Sequence, residues 1–124
     1  MRKRILIVDD DAAIGEVLQL MLEDEGYAVE IQVDGQIAQQ MAEPFPDLLL
    51  LDIRVSGSDG RAICQYLKSQ PATHHIPIIL LSAHRDTQRM AKESGADDFL
   101  AKPFQMEDLL ALVATYLGVP SCAG

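Results

Sequence analysis

Carboxylate, hydroxyl and ammonium side chains follow apolar runs at several places along this chain of 124 residues. The carboxylates are Asp9, Asp10 and Asp52, the hydroxyl is Ser82, and the ammonium is Lys102. Carboxylates a few ångströms apart repel each other and raise each other's pKa unless a cation lies among them. A set of oxygen ligands with room for water suits Mg²⁺ better than it suits a soft metal. We therefore expect Mg²⁺ to be held by Asp10 and Asp52, with Asp9 close by or acting through water.

The same groups are suited to the transfer of a phosphoryl group. A carboxylate is a nucleophile toward phosphorus and forms an acyl phosphate when it attacks. A hydroxyl and an ammonium across the same crevice suit the oxygens of that phosphoryl group. The sequence predicts that Asp52 attacks in line, while Mg²⁺, Ser82 and Lys102 neutralise the three equatorial oxygens in the transition state.

These side chains meet only if the apolar runs before them are parallel strands of one sheet. Leu48 to Leu51 form a run of four leucines, which is the pattern of a central strand buried on both faces. Burying an ionised carboxylate is costly, so Asp52 should lie where that strand leaves the core. In an open α/β sheet this end of a central strand faces the crevice where ligands bind.

The order of predicted strands and helices indicates the fold class. The predicted strands are residues 5–8, 28–33, 48–52, 76–81 and 98–101. A helical segment follows each strand, and the segments at residues 35–43 and 85–94 have the weakest apolar pattern. Five βα units in succession predict an α/β fold with a parallel sheet and right-handed crossovers. The three fully apolar strands belong in the middle, which predicts a doubly wound sheet of order 2-1-3-4-5.

Length and composition limit the class of protein. A chain with 48% hydrophobic residues suits one domain, expected to span residues 1–124 with a core at about 3–118 and a short tail at 119–124. The formal net charge of −9 argues against a nucleic-acid-binding surface, which is normally basic. The apolar run after the N-terminal basic residues is too short for a signal sequence or a membrane span. Cys64 and Cys122 fit no zinc or redox spacing, so a reduced, cytoplasmic protein is expected.

Five motifs follow one another along the chain, each at the end of a predicted strand: Val8-Asp9-Asp10, Asp52, Asp59-Gly60, Ile76-Pro77-Ile78 to Ser82-Ala83, and Gly95-Ala96-Asp97-Asp98-Phe99 to Lys102-Pro103-Phe104. This set, over roughly residues 3–118, resembles the receiver domain of two-component response regulators, a chemotaxis-regulator-like family. The resemblance implies a flavodoxin-like fold, with Asp52 as phosphoacceptor and a histidine kinase or phosphotransfer protein as donor. It also implies that Mg²⁺ contacts the backbone carbonyl of Arg54 and that the Lys102–Pro103 peptide bond is cis.

The resemblance further implies how a signal leaves the site. In the family, the hydroxyl after strand four moves toward the phosphate and an aromatic residue on strand five changes rotamer; here these residues are Ser82 and Phe99. The change shifts the population of two states, and partners bind on the face formed by helix 4, strand 5 and helix 5. Arg54 and His84 occupy the two positions that tune the lifetime of the phosphoryl group. The loop after Asp52 departs from the family pattern because it is more polar and more flexible.

The resulting expectation is a signalling switch of a two-component phosphorelay rather than an enzyme. Its chemistry would be limited to Mg²⁺-dependent self-phosphorylation and self-dephosphorylation. Its expected partners are a histidine kinase or phosphotransfer protein and an output protein or domain, with no direct contact to nucleic acid or membrane. The chain is expected to be either a single-domain regulator or the receiver of a longer protein.

The residues can also be interpreted in three other ways. An Mg²⁺-dependent phosphatase of the haloacid dehalogenase type would use Asp9 and Asp11 as its Asp-x-Asp pair, with Asp9 as nucleophile, but it needs a larger core or a cap. A mononucleotide or flavin binder on the same fold would need a glycine-rich loop after the first strand, which the sequence lacks. A degenerate receiver would lack acid-site residues that are all present in this sequence.

Overall fold

A parallel sheet of five strands carries the fold, and a separate two-stranded hairpin follows its central strand. The computed structural model describes residues 3–34, 45–55, 58–83 and 85–118. The strands are β1 (Arg4–Val8), β2 (Ala28–Gln32), β3 (Leu48–Asp52), β4 (Arg54–Val55), β5 (Ser58–Asp59), β6 (Ile78–Ser82) and β7 (Asp98–Ala101). The helices described are α1 (Ala12–Asp24), α2 (Gly60–Ser69), α3 (Thr87–Ser94) and α4 (Met106–Leu117).

The sheet has the order β2-β1-β3-β6-β7, and each neighbouring pair is parallel. Because β4 and β5 form a small antiparallel sheet of their own, this order is the predicted 2-1-3-4-5 of a doubly wound, flavodoxin-like fold. The predicted topology is therefore confirmed. Parallel strands end at the same edge of a sheet, so the residues that follow β1, β3, β6 and β7 are brought together there.

The four leucines of β3 fill the core on both sides of the sheet, as the sequence predicts. Leu49 and Leu51 pack in a cluster with residues of α2 and α3, while Leu48 and Leu50 pack in a cluster with residues of α1 and α4. All four side chains are fully buried. Successive side chains of a strand point to opposite faces, so a continuous apolar run is needed where both faces are covered. The end of this central strand is where Asp52 lies.

Two helices bury different residues from those that their periodicity predicts. On α1 the apolar spacing predicts one inward stripe, but Leu18 and Leu22 are buried while Val17 is 55% exposed. Gly15 is also buried and lies against the Ile31 side chain of β2, so the side of α1 that faces the sheet is the one that carries Gly15, Leu18 and Leu22. On α2 the apolar spacing of Ile63, Tyr66 and Leu67 predicts that all three face inward, which is wrong for Tyr66 because this residue is 44% exposed.

Some predictions fall on residues outside the described part of the chain. These are the helix at residues 35–43, the tail at 119–124 and the side chain of His84. Within the described part, β6 runs over Ile78–Ser82 rather than residues 76–81, so Ser82 belongs to the strand itself. Of the helices in residues 3–34, 45–55, 58–83 and 85–118, none is long and apolar enough to cross a membrane.

Candidate functional site

Asp52 is the last residue of β3, and its carboxylate is held from two sides. The residue is 7% exposed. Its Oδ1 accepts a hydrogen bond from the backbone N–H of Arg54 at 2.8 Å, and its Oδ2 contacts the ammonium of Lys102. A buried carboxylate needs such partners because an unpaired buried charge is costly. Both oxygens of Asp52 are thus oriented by the segments that follow β3 and β7.

Asp9 and Lys102 complete the charged cluster. Asp9 follows β1 and is 1% exposed; its Oδ1 accepts the Asp11 N–H at 2.9 Å, and its Oδ2 lies 3.4 Å from the Nζ of Lys102. Lys102 follows β7, and its backbone N–H donates to the carbonyl of Ser82 at 2.7 Å. This bond joins the ends of β6 and β7, and the lysine side chain reaches both Asp9 and Asp52.

Burial and crowding shift the pKa values of this cluster. The pKa of the Asp9 carboxyl is raised to about 6, chiefly by burial and also by the charge of Asp52, although the Asp11 N–H and Lys102 act in the opposite direction. Burial disfavours the charged form of Lys102, but the hydrogen bond to Asp52 and the charges of Asp52 and Asp9 raise its pKa overall. Lys102 therefore stays charged, and one positive charge faces two buried carboxylates.

A pocket of about 330 Å³ opens beside these groups. Its lining includes all of the predicted metal-binding and catalytic residues: Asp9, Asp10, Asp52, Arg54, Ser82 and Lys102. The structure therefore brings together, at one edge of the sheet, side chains that are far apart in the sequence. It also adds Ile14 and Ala83 to the wall, two residues that carry no chemical signal in the sequence.

The oxygen atoms around this pocket fit Mg²⁺, which prefers oxygen ligands, takes one or two carboxylates and retains several waters. In the part of the chain that the structure describes, no cluster of three or more His, Cys, Asp or Glu side chains is close enough to hold a metal ion by itself. Asp10 is exposed, whereas Asp9 and Asp52 are buried. A metal site here would therefore combine few carboxylates with backbone oxygen and water, and the ligand set with Asp10, Asp52, Asp9 and the Arg54 carbonyl stays a prediction.

The two residues predicted to relay a signal lie on neighbouring strands. Ser82 ends β6, is 2% exposed and lines the pocket. Phe99 lies on β7 and is partly buried against the core cluster that contains residues of α2 and α3. The peptide bond between Lys102 and Pro103 is cis. Movement of Ser82 and Phe99 stays a prediction.

The segment after Asp52, expected to be a loop, is a short hairpin in its described part. β4 and β5 pair antiparallel, with Arg54 opposite Asp59. Asp59 then caps α2, because its Oδ1 accepts the Arg61 N–H at 2.8 Å. The hairpin leaves no signal in the sequence, since strands of two residues are too short to show alternation. The role of the Arg54 N–H toward Asp52 leaves none either, because nearly every residue carries such a donor.

Comparison with known families shows to which family the chain belongs. Residues 5–114 match the family model described as response regulator receiver domain. The chain belongs to this family. The receiver domain is a phosphorylatable signalling switch of two-component systems and not a classical enzyme. The matches give no support to the phosphatase alternative, and Asp11 caps α1 by accepting hydrogen bonds from the N–H groups of Ala13 and Ile14.

Solved receiver structures show the same fold. A putative response regulator from Chloroflexus aurantiacus J-10-fl aligns with a TM-score of 0.87 at 37% identity, over 94% of this chain and 98% of its own. The receiver domain of sensor histidine kinase PA1611 from Pseudomonas aeruginosa PAO1 aligns with a TM-score of 0.85 at 30% identity, over 95% of this chain and 99% of its own. The latter has a magnesium ion coordinated in its active-site cleft.

Curated relatives of this receiver domain are longer proteins. One is the DNA-binding dual master transcriptional regulator RpaA of Synechocystis sp., which is 42% identical over 117 residues. The match covers 92% of this chain and 48% of RpaA. The receiver domain thus spans about half the length of such relatives. Because RpaA is DNA-binding, these relatives give no support to the expectation that nucleic acid is not contacted.

Proposed function

We propose that Asp52 receives a phosphoryl group from a histidine kinase or a histidine phosphotransfer protein. The observation that carries this proposal is the setting of Asp52, a buried carboxylate at the end of the central strand, in contact with Lys102 and beside a pocket of about 330 Å³. Membership of the receiver family supports this class of donor. The charged cluster supplies the acceptor.

The chain's own side chains account for the transfer step. Because Oδ1 of Asp52 is engaged by the Arg54 N–H, Oδ2 attacks phosphorus in line as the bond from phosphorus to the donor nitrogen breaks. Lys102 turns from Asp52 to one phosphoryl oxygen, and the Ser82 hydroxyl donates to another. The product is an acyl phosphate on Asp52, and its hydrolysis restores the carboxylate. Self-phosphorylation and self-dephosphorylation are the only chemistry proposed.

The cofactor proposed for this site is Mg²⁺, held by Asp10, Asp52 and the Arg54 carbonyl, with Asp9 close by or acting through water. When bound, the ion supplies positive charge that neutralises phosphoryl oxygens. Two observations support it: one ammonium faces two buried carboxylates in this chain, and the related PA1611 receiver has a magnesium ion in its cleft.

The output surface proposed is the face formed by α3, β7 and α4, with Ser82 and Phe99 as the relay from the site. α3 is suited to move because its start has no side-chain cap hydrogen bond. Of its described side chains, those of Ala91 and Ser94 are buried, and a helix with few buried contacts repacks at low cost. Arg54 and His84 are proposed to tune the lifetime of the acyl phosphate.

The proposed setting is the cytoplasm, where the chain acts as one receiver domain over residues 1–124 with a core at about 3–118. Its partners are the phosphoryl donor and an output protein or domain. The net charge of −9 supports the proposal that the receiver itself makes no contact with nucleic acid. Contact with DNA, as in a DNA-binding relative, would then come from a separate output domain.

A small-molecule phosphodonor such as acetyl phosphate tests the proposal without the kinase. Wild type and Asp52→Asn are incubated with the donor, with and without Mg²⁺, and their intact masses are measured. We expect one phosphoryl adduct on the wild type that requires Mg²⁺, and none on Asp52→Asn. Asp24→Asn, a change at an exposed carboxylate of α1, is the matched control and should label like the wild type. Label that persists in Asp52→Asn, or that maps to Asp9, would contradict the proposal.

A further inference from the structure

Gly60 lies closer to the backbone of Asp52 than any other residue type would allow. It is buried and is the first residue of α2. A Cβ placed on Gly60 would lie 2.2 Å from the carbonyl oxygen of Asp52 and 2.8 Å from the Cα of Ile53. These distances are well inside van der Waals contact, and the atoms in question belong to the backbone. They cannot rotate away as the end of a side chain can.

The backbone conformation of Gly60 does not itself require glycine. The described glycines with positive φ are Gly26, Gly95 and Gly118, so Gly60 has a conformation that other residues adopt freely. Alanine is also the better helix former, and position 60 is helical. Close approach to the Asp52–Ile53 peptide is therefore the reason for glycine at this position.

This close approach fixes the segment that orients the Asp52 carboxylate. The Gly60 N–H donates to the Ile53 carbonyl at 2.7 Å, and the next pair outward is Arg54 opposite Asp59 in the hairpin. The Arg54 N–H in turn donates to Oδ1 of Asp52 at 2.8 Å. The start of α2 is thus connected to the carboxylate through two hydrogen bonds that backbone N–H groups donate, one to the Ile53 carbonyl and one to the Asp52 side chain.

We propose that Gly60 is a positioning residue for phosphoryl transfer at Asp52. Its missing side chain lets the start of α2 lie directly on the Asp52–Ile53 peptide, which holds the Arg54 N–H at the Oδ1 atom. The inference rests on the proposed function of Asp52 as phosphoacceptor. A methyl group at residue 60 would displace either that peptide or the hairpin, and in both cases the Arg54 N–H would move relative to the carboxylate.

The first test uses metal-free protein and needs no phosphorylation. The Arg54 amide resonance and its hydrogen exchange are measured by NMR in the wild type, Gly60→Ala and Gly95→Ala. Gly95 ends α3 at φ +83°, with its nearest neighbours on Lys68, so Gly95→Ala is a matched glycine change away from Asp52. We expect Gly60→Ala to shift the Arg54 resonance and to accelerate its exchange, and Gly95→Ala to leave both as in the wild type.

The second test measures phosphorylation by acetyl phosphate at saturating Mg²⁺. We expect the maximal rate of Gly60→Ala to fall on the order of 100-fold, since a displacement of about 1 Å at a reacting group costs that much. Gly95→Ala should keep the wild-type rate at a temperature where each variant is folded. A wild-type Arg54 resonance together with a wild-type rate in Gly60→Ala would overturn the proposal.

A measurement on the wild type decides the case in which Gly60→Ala does not fold. During a Mg²⁺ titration, the Gly60 and Arg54 amide resonances should move together with one midpoint; a Gly60 resonance that stays fixed while that of Arg54 moves would overturn the proposal. The two proposals also fail separately. If the wild type takes up no phosphoryl group, Asp52 is not the acceptor, while the metal-free comparison of Arg54 still tests whether Gly60 positions this segment.

Discussion

One ammonium group pairs with two buried carboxylates in this receiver domain. Lys102 contacts Asp52 and lies 3.4 Å from Asp9, and both acids are almost fully removed from solvent. Neighbouring like charges raise the free energy of the ionised state unless further positive charge is present. The residues proposed to bind a cation are thus expected to reduce the stability of the metal-free fold.

Replacement of Asp9 by asparagine is expected to stabilise the metal-free protein at pH 7 by about 3 kcal/mol. The folded-state pKa of Asp9, about 6, lies above its unfolded value of 3.8. The folded state therefore binds more protons in this interval, and the wild type loses stability as the pH rises through it. The gain from Asp9→Asn should be full above about pH 6 and absent below about pH 4.

Urea unfolding followed by circular dichroism in EDTA, at several pH values from 4 to 7, measures this gain. Asp10→Asn is the matched control because it removes the same charge from the neighbouring, exposed residue. It should change stability little at any pH in the series. A gain in Asp9→Asn that does not depend on pH would show that ionisation of Asp9 is not its cause.

At the scale of the elements, α1 shows that one side of a helix packs in the core while its other side remains in solvent. Leu18 and Leu22 pack in the core cluster on one face of the sheet, while Leu20 is 69% exposed. A buried and an exposed leucine thus lie within a few residues of each other in the same helix. Comparing the same substitution at both positions separates the contribution of packing to stability from that of helix propensity.

Truncation of Leu18 is expected to destabilise the protein far more than truncation of Leu20. Leu18→Ala should lower the free energy of unfolding by about 3 kcal/mol, because it removes buried methyl groups and leaves a cavity. Leu20→Ala should change it by less than about 0.5 kcal/mol. Urea unfolding of both variants measures the difference, and equal losses would mean that α1 packs on a different face.

At the scale of the whole molecule, the charged cluster and the hydrogen bonds of Lys68 lie at opposite ends of the strands. The charged cluster follows the ends of β1, β3 and β7, whereas Lys68 connects the segments before β6 and β7. Its Nζ donates to the Ile76 carbonyl at 2.9 Å, to the His74 carbonyl at 3.2 Å and to Asp97 Oδ2 at 2.6 Å. Asp97 Oδ2 also accepts the Ile78 N–H at 2.8 Å. One lysine of α2 therefore holds together three parts of the fold.

Loss of the Lys68 ammonium is expected to destabilise the receiver without changing its chemistry. Lys68→Met should lower the free energy of unfolding by roughly 1–3 kcal/mol, because hydrogen bonds to a charged group are lost. Lys92→Met, at an exposed lysine of α3, is the matched control and should have a small effect. Thermal or urea unfolding measures both variants. A slower reaction of folded Lys68→Met with acetyl phosphate would argue against the separation of the two ends.

Much of the fold and of the candidate site follows from the sequence. The leucine run of β3 predicted the central strand, and the βα rhythm predicted the order of the sheet, which is confirmed. Because parallel strands end at a common edge, that order alone predicted that Asp9, Asp52, Ser82 and Lys102 would meet. Helical periodicity was less informative, since it predicted an inward Tyr66 that is exposed.

The sequence by itself determined which elements form and which chemical groups lie at their ends, because both depend on local periodicity and on strand order. Only the tertiary structure decided that Lys102 reaches both buried carboxylates, that the segment after Asp52 forms a hairpin, and that Gly60 lies on the Asp52 backbone. These features depend on distances between segments that the chain brings together from different elements. Such distances are set by how particular side chains pack against each other, and the periodic pattern of apolar residues does not specify them.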